Sequence, residues 1–199
     1  MPDTGIQPRC ALGFSLMALF KLIDQPEALQ EARQLSSLLR PDEFESSGQE
    51  LAKKLQGFVP VIYSSRRNIP IAYNWKIKLN ETGKIPAFYN FFPELNHNEM
   101  NGFDVEETTR TLSNNFAFLL LEDKSDQMKI QSRMQILKKL YQDRSFMVES
   151  IKLPQNNNRF YKIFSSIVLA DWVAYYTAKY YDVEPEQVPM VEEFKKLIR

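Results

Sequence analysis

The chain has 199 residues, in which 25 lysines and arginines balance 25 aspartates and glutamates, so that the formal net charge is zero. An apolar fraction of 44% with 13% aromatic residues excludes a disordered chain, because disorder requires low hydrophobicity and high net charge. The length suits one compact domain, and the absence of a basic excess argues against nucleic acid as the main partner.

Three helices are predicted before the first strand. Helical patterns cover residues 8–23 and 26–39, and Pro41 stops the second of them. A third pattern covers residues 43–55 and ends near Gly57. The apolar part of the first pattern predicts a buried amphipathic helix rather than a signal sequence, because no small-residue cleavage site follows it.

Beyond residue 57, short apolar runs alternate with helical segments. Strands that are apolar throughout are typical of a parallel sheet covered on both faces. Right-handed crossovers then predict a doubly wound, three-layer α/β/α sandwich with a mostly parallel sheet, preceded by the N-terminal helices. The predicted strands are residues 58–63, 84–92, 115–121 and 146–153, and the predicted helices are residues 71–79, 127–141, 159–181 and 188–198.

Cellular compartment and cofactor chemistry are limited by the rarest residues. One cysteine excludes an internal disulfide framework and fits a reducing cytosol, so a cytoplasmic protein is expected. One histidine excludes a histidine-based metal cluster, and six glycines leave no glycine-rich phosphate loop. The helix at 159–181 is apolar nearly all round and should be buried, but Lys162, Asp171 and Lys179 make it too interrupted to cross a membrane.

Ligands of a doubly wound sheet bind beyond the carboxyl ends of its strands. Ser64 and Ser65 follow the first predicted strand and are candidate phosphate ligands, although helix capping is the plainer explanation. His97 follows the second strand in a polar run, where an imidazole can exchange protons near neutral pH. Its neighbours Glu94 and Glu99 fit either a carboxylate pair or the acidic start of a helix.

Three other charged residues are candidates, each with a plain alternative. Glu81, at a helix–strand junction, is either a general base or a solvated turn carboxylate. Arg9, at a helix start, either holds an anion or is a surface charge. In the last helix the apolar face is centred on Phe194, so Lys195 lies at its edge and reaches a cleft if the helix is docked. The alternative is an ordinary lysine extending from that edge into solvent.

Four motifs give these residues a common interpretation. Residues 5–14 (GIQPRCALGF) resemble the "QPR-x-A-L-G-Y" segment of the bifunctional phosphoglucose/phosphomannose isomerases, which belong to the sugar isomerase (SIS) group. Residues 75–88 (WKIKLNETGKIPAF) resemble the "W-K-x-Q-x-N-E-N-x-K-x-x-A-F" of that family, and residues 93–99 (PELNHNE) match its "P-E-L-N-H-N-E". Residues 183–195 are similar to its closing "V-D-P…I-E-x-L-K".

The resemblance implies an enzyme that converts glucose 6-phosphate or mannose 6-phosphate to fructose 6-phosphate through a cis-enediol, with no metal or organic cofactor. Glu81 would then be the base that moves a proton between C2 and C1, and Arg9 would stabilise the enediolate charge. Lys195 and His97 would assist ring opening, His97 in the active site of the neighbouring subunit. Lys76 would contact the substrate.

The resemblance also implies a first SIS subdomain before Gly5, with a Ser/Thr-rich loop for the sugar phosphate. Residues 1–57 are then a helical lead-in and linker, and residues 58–199 an SIS-like domain. A homodimer, or pairing with an N-terminal SIS half, is expected. Asn74 and Glu186 stand where the family usually has arginine and threonine. The alternatives are a non-catalytic module that binds a sugar phosphate or a protein, and a purely structural domain.

Overall fold

Four parallel strands form one sheet in the computed structural model, which describes residues 5–198. The strands are β1 (Val59–Ser65), β2 (Phe88–Phe92), β3 (Phe116–Glu122) and β4 (Met147–Lys152), and their order in the sheet is β2-β1-β3-β4. All three neighbouring pairs are parallel. The predicted parallel, doubly wound α/β architecture is therefore confirmed.

Nine α-helices occur within residues 5–198, four of them before the sheet. The first four are α1 (Leu12–Leu22), α2 (Pro26–Arg33), α3 (Leu35–Leu38) and α4 (Glu45–Lys54). The others are α5 (Ile69–Glu81), α6 (Arg110–Ser113), α7 (Met128–Asp143), α8 (Arg159–Tyr180) and α9 (Pro189–Leu197). Across this part of the chain, no helix combines the length and the apolar character that a membrane span requires.

The sheet has an apolar core on each face, because successive strand residues point to opposite sides. On one face, Ile62 and Leu119 pack among side chains of α4, α5 and α8. On the other face, Tyr63 and Phe118 lie beneath α7 and the segment 94–105. Because both faces of the sheet are covered, the central strands β1 and β3 are buried at most positions and are mainly apolar, which is the pattern seen in the sequence.

Three predicted elements differ from the structure by more than a shift of one or two residues at their ends. The helix predicted over 8–23 begins as a 3-10 turn at Pro8–Cys10, and the helix predicted over 26–39 is divided into α2 and α3. The strand predicted over 84–92 begins only at Phe88. Lys84 adopts a φ of +57°, and Pro86 has no N–H to donate to a neighbouring strand, so neither residue fits the ladder.

The expected burial of α1 is wrong, and α9 is not docked by its apolar face. No residue of α1 or α9 is buried, and Leu22 and Met190 are 83% and 82% exposed. Only one side of α1 packs, against Ala28 of α2 and Phe160 of α8. An amphipathic period shows that a helix has an apolar side but not what covers that side.

Gly48→Ala tests how closely α4 packs on α8. A Cβ at Gly48 would lie 2.4 Å from the Cβ of Trp172 and 3.2 Å from backbone atoms of α8, so the two helices must move apart. We expect the free energy of unfolding to fall by about 1–3 kcal/mol, as for other overpacked sites, in urea titrations.

Gly13→Ala in α1 is the matched control for this substitution. No heavy atom outside its own helix turn lies within 4 Å of a Cβ added there, so its stability should stay the same or rise slightly. Equal stability of Gly48→Ala and the unaltered chain would contradict the close approach of the helices.

Candidate functional site

The guanidinium of Arg9 joins three segments that are far apart in the sequence. Its side chain is only 4% exposed, and its Nε donates a hydrogen bond to Oγ1 of Thr82 at 2.9 Å. Its Nη2 donates to the backbone carbonyls of Pro185 at 3.1 Å and Glu186 at 2.7 Å. Its Nη1 lies 3.4 Å from Oε2 of Glu81. Arg9 and Glu81, both predicted as site residues, therefore meet.

The backbone of Arg9 is held by a buried lysine that the sequence interpretation missed. Nζ of Lys78 donates to the carbonyl oxygen of Arg9 at 2.8 Å and lies 2.6 Å from Oδ1 of Asp171 in α8. The side chain of Lys78 is 1% exposed, so both partners are needed to offset its desolvation. Its spacing could have indicated its burial, because Lys78 follows the core residue Trp75 by three positions and therefore shares its helix face.

Glu81 is the last residue of α5, and its carboxylate is held on one side and open on the other. Its side chain is 42% exposed although its partner Arg9 is buried. Gly83 allows the tight turn that follows, because a Cβ there would lie 2.8 Å from the carbonyl oxygen of Leu79. A half-exposed carboxylate beside a fixed guanidinium can exchange a proton with a bound molecule while the cation stabilises an oxyanion.

Lys84 completes this cluster from the turn between α5 and β2. Its Nζ donates to the backbone carbonyls of Glu81 and Gln187. Burial and the nearby charge of Arg9 lower the pKa of Lys84, and the carboxylates of Glu184 and Glu81 oppose this shift. In the sequence, Lys84 stands out only as part of a motif. Its contacts could not be predicted, because its partners are backbone carbonyls, which every residue type carries.

The cluster of Arg9, Glu81 and Lys84 lies at the amino edge of the sheet, because α5 leaves the carboxyl end of β1 and runs back to the strand starts. His97 follows β2 and therefore lies at the carboxyl edge. Strands of five to seven residues separate the two edges by roughly 20 Å. Within one chain, the structure does not bring His97 to Glu81.

The segment that carries His97 is anchored by its acidic neighbour. Glu99 accepts hydrogen bonds from the hydroxyl of Tyr63 and from Nδ2 of Asn90. Burial and the charge of Glu99 are among the causes that raise the pKa of Tyr63, so this phenol stays protonated as a donor. His97 itself is exposed, and its backbone N–H donates to the carbonyl of Glu94 at 2.9 Å.

Two other predicted residues lie apart from the cluster. Lys195 is 54% exposed, and its Nζ lies 2.7 Å from Oε1 of Glu192 on the same helix. Nζ of Lys76 lies 5.8 Å from the centre of the Tyr73 ring. Asn74, one of the departures from the family pattern, donates to a backbone carbonyl within its own helix. None of these contacts joins the Arg9–Glu81 pair.

Ser64 and Ser65 are buried at the carboxyl end of β1. The hydroxyl of Ser64 donates to the carbonyl of Ser65 at 3.0 Å, and the hydroxyl of Ser65 accepts from Nδ2 of Asn68 at 3.1 Å. Both hydroxyls are therefore engaged inside the protein. Nδ2 of Asn68 also donates to Oδ2 of Asp123 at 3.0 Å, and Nζ of Lys162 lies 2.6 Å from the same oxygen.

Asp123 is the centre of this carboxyl-edge network. Its side chain is fully buried, and burial alone would raise its pKa. Hydrogen bonds from Lys162, Ser125 and Asn68 outweigh burial and hold the pKa of Asp123 well below its usual range. In residues 5–198, no group of three or more His, Cys, Asp or Glu side chains is placed to hold a metal ion.

Comparison with known proteins decides the family. Residues 44–198 match the family described as bacterial phospho-glucose isomerase C-terminal SIS domain. The chain belongs to this family. A bifunctional phosphoglucose/phosphomannose isomerase of Aquifex aeolicus (strain VF5) is 33% identical over 198 residues, which are 98% of this chain and 59% of that relative. The protein of the same name from Thermoplasma volcanium is 31% identical over 199 residues, and the match covers 98% of this chain and 62% of that relative.

The chain thus spans about three fifths of the length of these curated relatives. A solved structure of a glucose-6-phosphate isomerase-like protein from Thermus thermophilus has a TM-score of 0.55 at 20% identity, and the match covers 81% of this chain and 52% of that one. At this identity the likeness shows the fold. The predicted family resemblance and the predicted SIS-type fold are both confirmed.

Arg9→Gln tests the electrostatic contact within the cluster. The substitution removes a positive charge beside Lys84, which stabilises the protonated amine. The pKa of Lys84 should therefore rise toward its ordinary value. An NMR titration of the lysine side chains measures this shift. Arg33→Gln, which removes an exposed arginine of α2, should leave the pKa of Lys84 unchanged, and an unchanged pKa in Arg9→Gln would contradict the contact.

Asp123→Asn tests the carboxyl-edge network through its pH dependence. Because the pKa of Asp123 is depressed on folding, its ion pair stabilises the protein above the ordinary aspartate pKa of about 3.9 and is lost as the pH falls further. We expect the substitution to cost about 3 kcal/mol at neutral pH and less at acidic pH, in urea unfolding. Asp143→Asn, at the exposed end of α7, is the control and should leave the free energy of unfolding nearly unchanged at both pH values. An equal loss of stability in Asp123→Asn at neutral and at acidic pH would contradict the role of the Asp123 ion pair.

Proposed function

We propose that this chain carries the proton-transfer part of an aldose–ketose isomerase for sugar phosphates. The reaction interconverts glucose 6-phosphate or mannose 6-phosphate with fructose 6-phosphate through a cis-enediol. The observation that carries the proposal is the 3.4 Å contact between the half-exposed carboxylate of Glu81 and the buried guanidinium of Arg9. Membership of the phosphoglucose isomerase family and relatives named as phosphoglucose/phosphomannose isomerases support it.

The chemistry requires one base and one fixed positive charge. The Glu81 carboxylate takes the proton from C2 of the open-chain aldose and returns it to C1, so the same group serves both steps. Negative charge develops on the enediolate oxygens, and Arg9 stabilises it. Because Thr82 and two backbone carbonyls hold its other nitrogens, Arg9 is oriented before the substrate arrives.

Ring opening is assigned to Lys195 and His97. Lys195 is exposed, and it must leave its ion pair with Glu192 to reach the cluster. His97 lies at the opposite edge of the sheet, so its role requires the Glu81 cluster of a second copy of this chain. Lys76 is proposed as a substrate contact. Ser64 and Ser65 are weaker candidates, because both hydroxyls are buried and hydrogen-bonded within the protein.

The exposed apolar helices α1 and α9 support a pairing surface for a homodimer or an N-terminal SIS half. The division into a lead-in, 1–57, and an SIS-like domain, 58–199, stays a proposal, as does the cytoplasmic location. The second candidate function is a non-catalytic sugar-phosphate-binding or interaction module. The observation that favours it is the separation of His97 from Glu81 within one chain.

Glu81→Gln tests the base directly. Formation of fructose 6-phosphate from glucose 6-phosphate and from mannose 6-phosphate is measured in a coupled assay. One arm uses this chain alone, and another adds the part of the Aquifex aeolicus relative that lies outside the match to this chain. We expect kcat to fall at least about 100-fold in Glu81→Gln, the usual effect of losing a general base.

Glu50→Gln, on the exposed side of α4, is the matched control and should keep the activity of the unaltered chain. Activity that survives Glu81→Gln would refute the assignment of the base. Isomerisation in neither arm would favour the non-catalytic module.

A further inference from the structure

A buried ion pair between α5 and α8 lies directly behind Arg9. Lys78 and Trp75 share one face of α5, and both side chains contact α8. Nε1 of Trp75 donates to Oγ of Ser166 at 3.0 Å, and Nζ of Lys78 lies 2.6 Å from Oδ1 of Asp171. These two polar contacts fix how the helices lie against each other, and they therefore also fix where the Lys78 ammonium lies.

The ammonium of Lys78 has a second partner in the main chain of the candidate site. Its Nζ donates to the carbonyl oxygen of Arg9 at 2.8 Å, and the Lys78 side chain is only 1% exposed. Arg9 belongs to the 3-10 turn Pro8–Cys10, which is three residues long. A turn this short makes few bonds of its own, so its position depends on contacts with other elements. Lys78 thus ties the turn to the packed helices.

Arg9 is held at its backbone by Lys78 and at its guanidinium by the end of the same helix. Its Nε donates to Oγ1 of Thr82 at 2.9 Å, and its Nη1 lies 3.4 Å from Oε2 of Glu81. Lys78 lies about one turn earlier in α5. Because both ends of the Arg9 side chain are tied to α5, the guanidinium has little freedom to move away from Glu81.

Asp171 supplies the charge that a buried lysine requires. Its side chain is 40% exposed, and burial raises its pKa despite the opposing charges of Lys78 and Arg9. Removal of one partner from such a pair leaves a poorly solvated charge, whereas removal of both is often tolerated. This difference allows an effect on the position of Arg9 to be separated from a loss of stability.

We propose that Lys78, supported by Asp171, is a positioning residue of the isomerase site, which holds the backbone of Arg9 so that its guanidinium stays beside Glu81. Lys78 acts through Arg9 and does not touch the reacting atoms. The role in catalysis rests on the proposed function, but the position of Arg9 is measurable without turnover.

The test is an NMR titration of Lys84 in a double-substitution cycle. The nearby charge of Arg9 is one of the causes that lower the pKa of Lys84, after burial, so this pKa reports where the guanidinium lies. We expect Lys78→Met to raise the pKa of Lys84 in the otherwise unaltered chain and to have no further effect in Arg9→Gln. A direct effect of the lysine charge, or a general loosening, would raise it in both backgrounds.

Lys162→Met is the matched control, because it removes another lysine that is paired with a buried carboxylate, at the opposite edge of the sheet. It should lower the stability and leave the pKa of Lys84 unchanged. If Lys78→Met is too unstable to titrate, Lys78→Met with Asp171→Asn removes both charges and should show the same rise. An unchanged pKa of Lys84 without Lys78, an equal rise in the Arg9→Gln background, or an equal rise in Lys162→Met would each overturn the inference.

The isomerase assay gives the second readout. Loss of Lys78 should lower kcat about 10- to 100-fold and leave KM nearly unchanged, because Arg9 acts on charge that develops in the transition state. An unchanged kcat together with a shifted pKa of Lys84 would overturn the role of Lys78 in catalysis. Absence of isomerisation in the unaltered chain would refute the proposed function instead, and the titration of Lys84 would still decide whether Lys78 positions Arg9.

Discussion

The guanidinium of Arg9 is the contact on which the candidate isomerase site depends. A buried cation is costly unless its donors are satisfied, and here they are satisfied by the end of α5 and by the carbonyls at 185 and 186. The start and the end of the described chain are thereby brought to one point at the amino edge of the sheet. Glu81 lies at that point, with a fixed cation on one side and solvent on the other.

The parallel sheet separates two polar sites and supports both. At the amino edge, Arg9 lies beside the half-exposed carboxylate of Glu81, which is the proposed base. At the carboxyl edge, the buried carboxylate of Asp123 accepts hydrogen bonds from Lys162, Asn68 and Gln155. Each site is built around a buried charge whose partners come from different segments. The apolar faces of the sheet supply the rigid separation between them.

Periodicity predicted the parts of the fold that are set by burial on both sides. The apolar runs at 58–63 and 115–121 correspond to β1 and β3, and the helix predicted over 127–141 corresponds to α7. Periodicity could not predict that α1 and α9 are exposed, because exposure depends on which surface faces them. The late start of β2 follows from the backbone conformation of Lys84, which a pattern of residue types does not show.

The site was predictable only in part. Motif resemblance pointed to Arg9 and Glu81, which lie 72 positions apart, and the structure brings them together. Backbone carbonyls bind Arg9 and Lys84, and these contacts could not be predicted because every residue type has a backbone carbonyl. The placement of His97 at the other edge follows from topology, since it comes after a strand whereas Glu81 ends a helix.

The most direct test of Arg9 as the joining contact is amide hydrogen exchange in Arg9→Gln, followed by mass spectrometry. Loss of the guanidinium should accelerate exchange in peptides that cover residues 81–85 and 186–188, and should leave β1 and β3 protected. Unchanged exchange at 186–188, or an equal increase across the whole sheet, would contradict the role of Arg9 in holding these segments together.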